Sequence, residues 1–398
     1  TLAAQGLRLL ALAFRDENGP EPAGDPYGGL IFAGLVALLD PPRRDVKTSI
    51  EACRQAGVRV VMVTGDQIET ARYIAAETGL ETDSGKEAIH GSDLKEVIDR
   101  GNGRLTDTSV FARVSPKQKL DLIDYYQNKG FIVAMTGDGV NDAPALKKAD
   151  IGIAMGKRGS QVAREASDMV LTDDAFGSIA AAIERGRAIF SNIRNFIFYL
   201  MSCNISEVMV VAVSFVTAMP LPVLPLQILF LNLVTDVFPA LALGVSKGER
   251  NLMMKPPRRP DEPILTRTHW YLIVMYGVLI TFSVLTVLWI ALNLLDLRTE
   301  QAVTLSFLTL ALSQLWHVFN MRSPDAGMFR NTVTGNPFVW GAIVLSATIL
   351  LLALYIPAFA DALSLHPPTP TGWAVVLGFS FLPLLVGQAW LVFRGSRE

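Results

Sequence analysis

Six apolar runs, roughly at 192–216, 224–243, 271–293, 302–320, 338–356 and 373–393, occupy the second half of the chain. Each is about as long as a helix that crosses a bilayer, about 20 residues, so residues 189–398 are expected to form an all-α bundle of six transmembrane helices. The chain is 51% hydrophobic and 18% charged, but residues 1 to about 185 keep the mixed composition of a water-facing domain. Loop charges orient the spans. The connection 246–268 holds Lys247, Arg250, Lys255, Arg258, Arg259 and Arg267, whereas 217–223 and 357–372 hold no Lys or Arg. The positive-inside rule puts the first in the cytoplasm and the other two outside. With six crossings, the soluble domain and Arg394 and Arg397 then share the cytoplasmic side.

Polar groups are expensive inside such spans, so those present mark function. Asn204 and Glu207 lie three apart in the first span. Asn232, Thr235 and Asp236 lie at i, i+3 and i+4 in the second, on one face, with Pro239 nearby. Two carboxylates with amide and hydroxyl oxygens make a hard-oxygen set suited to Ca²⁺ and compatible with Mn²⁺ or Na⁺. Polar groups of this kind also glue helices together, a reading that suits Asn204 better than Glu207 or Asp236.

The soluble part alternates short apolar runs with helix-like segments, which predicts a parallel α/β sheet. Phe131–Met135 reads as a strand ending in Thr136-Gly137-Asp138-Gly139, with Asn141 and Asp142 close behind and a helix after them. An acidic glycine turn after a strand places hard oxygen ligands for Mg²⁺ at the carboxyl end of a sheet. Val58–Val63 is a second such strand, ending in Thr64-Gly65-Asp66. There a hydroxyl and free N–H groups would cradle a phosphate, or Thr64 would cap the following helix. Leu7–Phe14 reads as a strand or helix end, and Gly29–Leu39 is a further apolar run. Asp45–Ala56 has helical periodicity closed by Gly57. Residues 81–108 read as an irregular surface excursion. The net charge of −2 gives no hint of nucleic acid, and Cys53 and Cys203 are too few for a disulfide framework, which fits a reducing cytoplasm.

The string Thr136-Gly-Asp-Gly-Val-Asn-Asp-Ala-Pro144 closely resembles the hinge motif of P-type ATPases, cation pumps whose phosphorylation domain belongs to the haloacid-dehalogenase superfamily. The resemblance runs through nearly the whole chain and is strongest to the calcium-pump branch. It implies a Rossmann-like fold and a division into three parts: 1–39 as the tail of a nucleotide-binding domain, 40–188 as the second part of the phosphorylation domain, and 189–398 as the transmembrane domain. Asp40-Pro-Pro-Arg43 would mark the return between the first two. Thr64 and Gly65 would hold the transferring phosphoryl group, with Asp66 matching beside them. Lys119, rather than Lys117, would supply the cation, and Arg8 and Arg113 would lie near ATP. Tyr199 to Glu207 and Leu231 to Asp236 resemble the two ligand-bearing helices of calcium pumps, with Asn204, Glu207, Asn232, Thr235 and Asp236 as ligands. In Ala311-Leu-Ser-Gln-Leu-Trp316 the family's glutamate is replaced by Gln314, which implies one cation per cycle.

Phosphoryl transfer from ATP to an aspartate needs a nucleophile in a DKTGT motif, and no DKTGT occurs here. The resemblance therefore implies the C-terminal part of a longer pump, or of one split between polypeptides, inactive and poorly stable alone. The partners expected are the remaining N-terminal part, lipid, ATP and the transported cation. Short loops suggest the plasma membrane of a bacterium. The alternatives are a pump for Na⁺ or Mn²⁺, or an inactive truncated paralogue with a binding or regulatory role.

Overall fold

The structure, a computed structural model, describes residues 7–15, 29–38, 41–80, 88–100, 104–249, 251–323 and 326–395. The chain divides into two compact units, residues 1–184 with 253–260, and residues 185–252 with 261–398.

The first unit opens with the antiparallel hairpin β1 (Arg8–Phe14) and β2 (Ile31–Leu38), so the first apolar run is a strand. Its apolar Leu12, Phe14, Phe32 and Leu35 are each more than half-exposed. Then come α1 (Val46–Gln55), β3 (Met62–Val63), α2 (Ile68–Thr78), β4 (Ile89–His90), α3 (Gly91–Arg100), α4 (Arg104–Asp107), β5 (Val110–Ala112) and α5 (Pro116–Asn128). They are followed by β6 (Ala134–Gly137), α6 (Ala143–Lys148), β7 (Ile151–Met155), α7 (Gln161–Ala166) and β8 (Met169–Leu171). All strands after the hairpin pair in parallel, in two sheets of three, ordered β3-β5-β4 and β6-β7-β8.

Two expectations need correction. Residues 81–108 are not an irregular excursion: the described part forms β4, α3 and α4, whose Ile89, Leu94, Val97 and Leu105 are buried with Phe111 and Leu122. Leu94 and Val97, three apart, put one stripe of an otherwise polar helix into the core. The strands are also shorter than the apolar runs. Val58–Val63 yields only Met62–Val63, and the hinge strand starts at Ala134 rather than Phe131, leaving Phe131 and Ile132 half-exposed or more.

Residues 253–260 belong to this unit by packing. Gly57 ends α1 with a φ of +69°, and a Cβ there would stand 2.5 Å from Pro257 Cδ. Glycine thus allows both the left-handed turn and the close approach of the proline.

The helix α8 (Phe176–Val216) extends into the second unit, which continues with α9 (Pro225–Leu231), a π-helical turn (Asn232–Asp236) and α10 (Val237–Gly244). After these come α11 (Arg267–Asn293), α12 (Thr299–His317), α13 (Pro337–Tyr355), α14 (Pro357–Leu363), α15 (Pro370–Ser380) and α16 (Leu382–Gly395). Among the described residues, six segments are long and apolar enough to cross a membrane: Phe176–Val216, Pro225–Gly244, Arg267–Asn293, Thr299–Met321, Pro337–Tyr355 and Pro370–Phe393. The Thr299–Met321 span is 89% buried over its apolar window, against 33% for each of the last two, so it forms the middle of the bundle. Its Leu305, Phe307, Leu308 and Leu312 pack with Val284, Leu288, Leu350 and Val376 of three neighbouring helices.

Candidate functional site

In the first unit a cleft of about 290 Å³ opens at the carboxyl ends of β3, β6 and β7, lined by Arg43, Val63, Lys119, Thr136, Gly137, Asp138, Asp142, Met155, Arg158 and Asp174. The turn after β6 folds around Asp142. The Asp142 amide donates to Gly139 O at 3.1 Å, and Gly139 N donates to Asp142 Oδ2 at 3.2 Å. A Cβ on Gly137 would lie 2.6 Å from Asp142 Cβ, so only glycine lets the strand end pass this close to the acid.

Lys119 reaches the site from the first turn of α5. That helix starts at Pro116 behind a Ser115–Gln118 capping box, and Gln118 Nε2 also donates to Gly91 O. Lys119 Nζ then donates to Asp142 Oδ1 at 2.6 Å. Burial pushes the Asp142 carboxyl up, but the hydrogen-bonded Lys119 ammonium and the Gly139 amide outweigh it, so the group sits below the ordinary aspartate value. Asp138 is exposed and lines the cleft. With both Asp142 oxygens already engaged, Asp138 is the better-placed hard ligand for Mg²⁺.

Sequence reasoning assigned no role to a second acid, Asp174. Its Oδ1 accepts from Gly156 N (2.7 Å) and Lys157 N (2.9 Å), and its Oδ2 accepts from Arg158 N (3.0 Å). These amides hold the carboxyl below its usual range. Arg43 Nη1 donates to Asp174 O at 2.8 Å. The Asp174 carboxylate therefore fixes the 156–158 loop with Arg158 at the cleft, and its backbone carbonyl holds Arg43 there. The available signal was Thr172-Asp173-Asp174 at a strand end, the position that makes Asp138 and Asp66 conspicuous.

Asp142 and Asp174 both titrate low when folded. The stability they contribute is complete above the unfolded aspartate value of about 3.9 and is lost as pH falls through their folded values. Asp174→Asn keeps the shape and tolerates the residue's left-handed φ of +53°. Urea midpoints measured across a pH series should fall more steeply below about pH 4 in the parent than in this variant. Equal slopes would assign the acid sensitivity to other groups.

Thr64, Gly65 and Asp66 lie directly after β3 but do not line the cleft. Thr64 Oγ1 donates to Asp66 Oδ2 (2.8 Å) and accepts from Asp66 N (3.1 Å), so the hydroxyl closes its own turn. Thr64 O and Asp66 O accept the amides of Val114 and Arg113, which ties this turn to the strand end of β5. Gly65 faces open space. Asn141 is exposed and, like Arg113, is absent from the cleft wall. The Arg8 backbone lies in β1, and its side chain lies outside the described residues.

The second unit gathers the polar groups of its spans. Asn232 Nδ2 donates to Glu207 Oε2 at 3.1 Å, and Gln314 Nε2 donates to Glu207 Oε1 at 3.0 Å. Thr235 Oγ1 lies 3.3 Å from Gln314 Oε1 and donates to Leu231 O at 2.8 Å. Tyr199 OH is shared between Thr235 O (3.1 Å) and Gln314 O (3.2 Å). Glu207, Thr235, Asp236 and Gln314 are all buried, and Asp236 Oδ2 has no hydrogen-bond partner. Asn204 is not drawn into this network: its Nδ2 donates to Leu200 O, one turn back on its own helix. The π-helical turn changes the spacing expected on this face. It begins at Asn232 and ends at Asp236, so the three polar residues are carried by a widened turn rather than a regular α-helix. Among the described residues no three His, Cys, Asp or Glu side chains converge as a metal cage. Any cation held here would depend on amide, hydroxyl and carbonyl oxygens as well as the two acids.

Residues 220–393 match the family described as "Cation transporting ATPase, C-terminus", and residues 8–150 match "haloacid dehalogenase-like hydrolase". The "Calcium-transporting ATPase" of Bacillus subtilis (strain 168) is 42% identical over 392 residues, which are 97% of this chain and 44% of that protein. "Calcium-transporting ATPase 1" of Bacillus cereus (strain ATCC 10987 / NRS 248) is 38% identical over 97% of this chain and 45% of its own length. "Calcium-transporting ATPase 2, endoplasmic reticulum-type" of Arabidopsis thaliana is 32% identical over 98% and 44%. The chain thus spans less than half the length of these relatives.

Proposed function

This chain belongs to the P-type cation-transporting ATPases, and from that premise we propose that it serves ATP-driven export of Ca²⁺ through an aspartyl-phosphate intermediate, one Ca²⁺ per cycle. The observation that carries the reading is the burial of Glu207, Asp236, Thr235 and Gln314 inside an apolar bundle, with the half-buried Asn232 bonded to Glu207. Buried acids in a membrane domain are costly unless they serve a cation. The amide of Gln314 already ties up Glu207, which favours a single calcium site around Asn232 and Asp236.

In the soluble unit, Lys119 would neutralise charge on the transferring phosphoryl group, with Thr64 and Gly65 on the adjacent strand end. Asp138 and Asp142 would hold Mg²⁺, which supplies further neutralisation of phosphate charge. The nucleophilic aspartate would come from the part of the pump outside this chain. The two parallel sheets support this. The ends of β3 and β6 line one cleft, yet β3 and β6 do not pair with each other, so an added strand could complete one sheet. The Pro-rich segment seated on Gly57 would link phosphorylation to the cation site.

The test is acid-gel autoradiography of native membranes briefly exposed to labelled ATP, with and without Ca²⁺. A calcium-dependent acyl-phosphate band recognised by an antibody to this chain is expected. A band that needs Na⁺ or Mn²⁺ instead would transfer the reading to that cation, and no band under any cation would favour the inactive paralogue.

A further inference from the structure

Cys203 brings a soft atom to the polar centre of the bundle. Cys203 lies four residues after Tyr199 and four before Glu207, on the face of α8 that carries both. It is fully buried, and its thiol lies against the Asp236 side chain and the Tyr199 hydroxyl. A buried free cysteine ordinarily acts as a small hydrophobe. This one instead borders a carboxylate that is 1% exposed and whose Oδ2 has no partner. Tyr199 is already committed to Thr235 O and Gln314 O. The unpartnered position at this point, among the described residues, is therefore one carboxylate oxygen, with the thiol sulfur beside it.

We propose that Cys203 and Asp236 form a binding site for soft divalent cations such as Cd²⁺ within the cation site of the membrane domain. The proposal rests on the reading of Asp236 as a cation ligand. Thiolate prefers soft metals, whereas Ca²⁺ takes only oxygen ligands, so the sulfur discriminates between the two classes. On cadmium binding the S–H bond gives way to an S–Cd bond and the proton leaves to solvent, with no change of oxidation state. The site is then a point of poisoning: a soft ion seated on Cys203 and Asp236 blocks calcium without being passed on.

The experiment uses the full-length protein purified in detergent, titrated with Cd²⁺ while the ultraviolet sulfur-to-cadmium charge-transfer band is followed. The absorbance difference between parent and Cys203→Ser should equal one thiolate per chain, and Cys53→Ser should leave the band intact. Asp236→Asn should weaken apparent Cd²⁺ affinity about tenfold or more. Each variant is checked for a monodisperse elution profile and unchanged helical circular dichroism. An absorbance difference between parent and Cys203→Ser well short of one thiolate, a band lost in Cys53→Ser, or a Cd²⁺ affinity unchanged in Asp236→Asn overturns the proposal. Excess Ca²⁺ provides a separate readout. If Ca²⁺ fails to displace Cd²⁺ while the Cys203 and Asp236 variants behave as expected, the soft site stands and the calcium assignment of Asp236 is what fails.

Discussion

Lys119→Met should lower the rate of phosphoenzyme formation in the whole pump by about a hundredfold to a thousandfold, the usual loss when one preorganised charge-stabilising donor is removed. The ammonium lies at the cleft and is fixed at 2.6 Å from Asp142, so it needs no reorganisation to meet a phosphoryl group. The same change should cost the soluble unit about 1 to 3 kcal/mol, because Asp142 stays buried with only the Gly139 amide to satisfy it. Asp142→Asn combined with Lys119→Met separates the two effects. Stability should recover in part in the double variant, since no unpaired charge remains, while phosphorylation should not. Phosphorylation within tenfold of the parent in Lys119→Met would remove Lys119 from the transfer step and leave it a structural partner of Asp142.

Asp236→Asn should abolish calcium-dependent phosphorylation at ordinary calcium concentrations, with apparent affinity reduced on the order of a hundredfold. Without calcium its effect on stability should have the opposite sign. Asp236 is buried in an apolar bundle with one oxygen unsatisfied, and removing an uncompensated buried carboxylate relieves about 1 to 3 kcal/mol. Thermal denaturation in detergent should therefore show a higher midpoint than the parent without Ca²⁺ and no further rise on adding it. A variant that is less stable than the parent in calcium-free buffer and still stabilised by calcium would place the ligand elsewhere.

The two halves of the chain differ in how openly they declare themselves. The six spans are legible because each is marked by composition over about 20 residues, a signal that no short-range detail can mask. The strands are legible only as locations. Met62–Val63 and Met169–Leu171 are so short that neighbouring apolar residues such as Val60 or Val61 carry no information about where pairing stops. Gly91–Arg100 reads as loop because seven of its ten residues are not aliphatic, yet Leu94 and Val97 suffice to anchor it once Phe111 and Leu122 are in place.

The sites divide in the same way. Lys119, Asp138 and Asp142 come together in one cleft, because the hinge motif compresses two of them into five residues and the capping box of α5 aims the third. Arg43, Arg158 and Asp174 join them through backbone hydrogen bonds that leave no mark on residue type. In the bundle, Asn204 and Glu207 are equally polar and nearly adjacent. Only packing decides that one serves its own helix and the other meets Asn232 and Gln314.

The span Pro225–Gly244 is pinned at both ends by other parts of the bundle. Gln227 donates to Leu363 O before the π-helical turn, and Asn336 donates to Ala242 O after it. The five residues Asn232–Asp236 set the angular phase between these two anchors. Deleting Leu233 or Val234, without touching a single polar group, would let the turn rewind to α and swing one end about 100° relative to the other. This span therefore counts residues: a one-codon deletion acts on it like a change of gear.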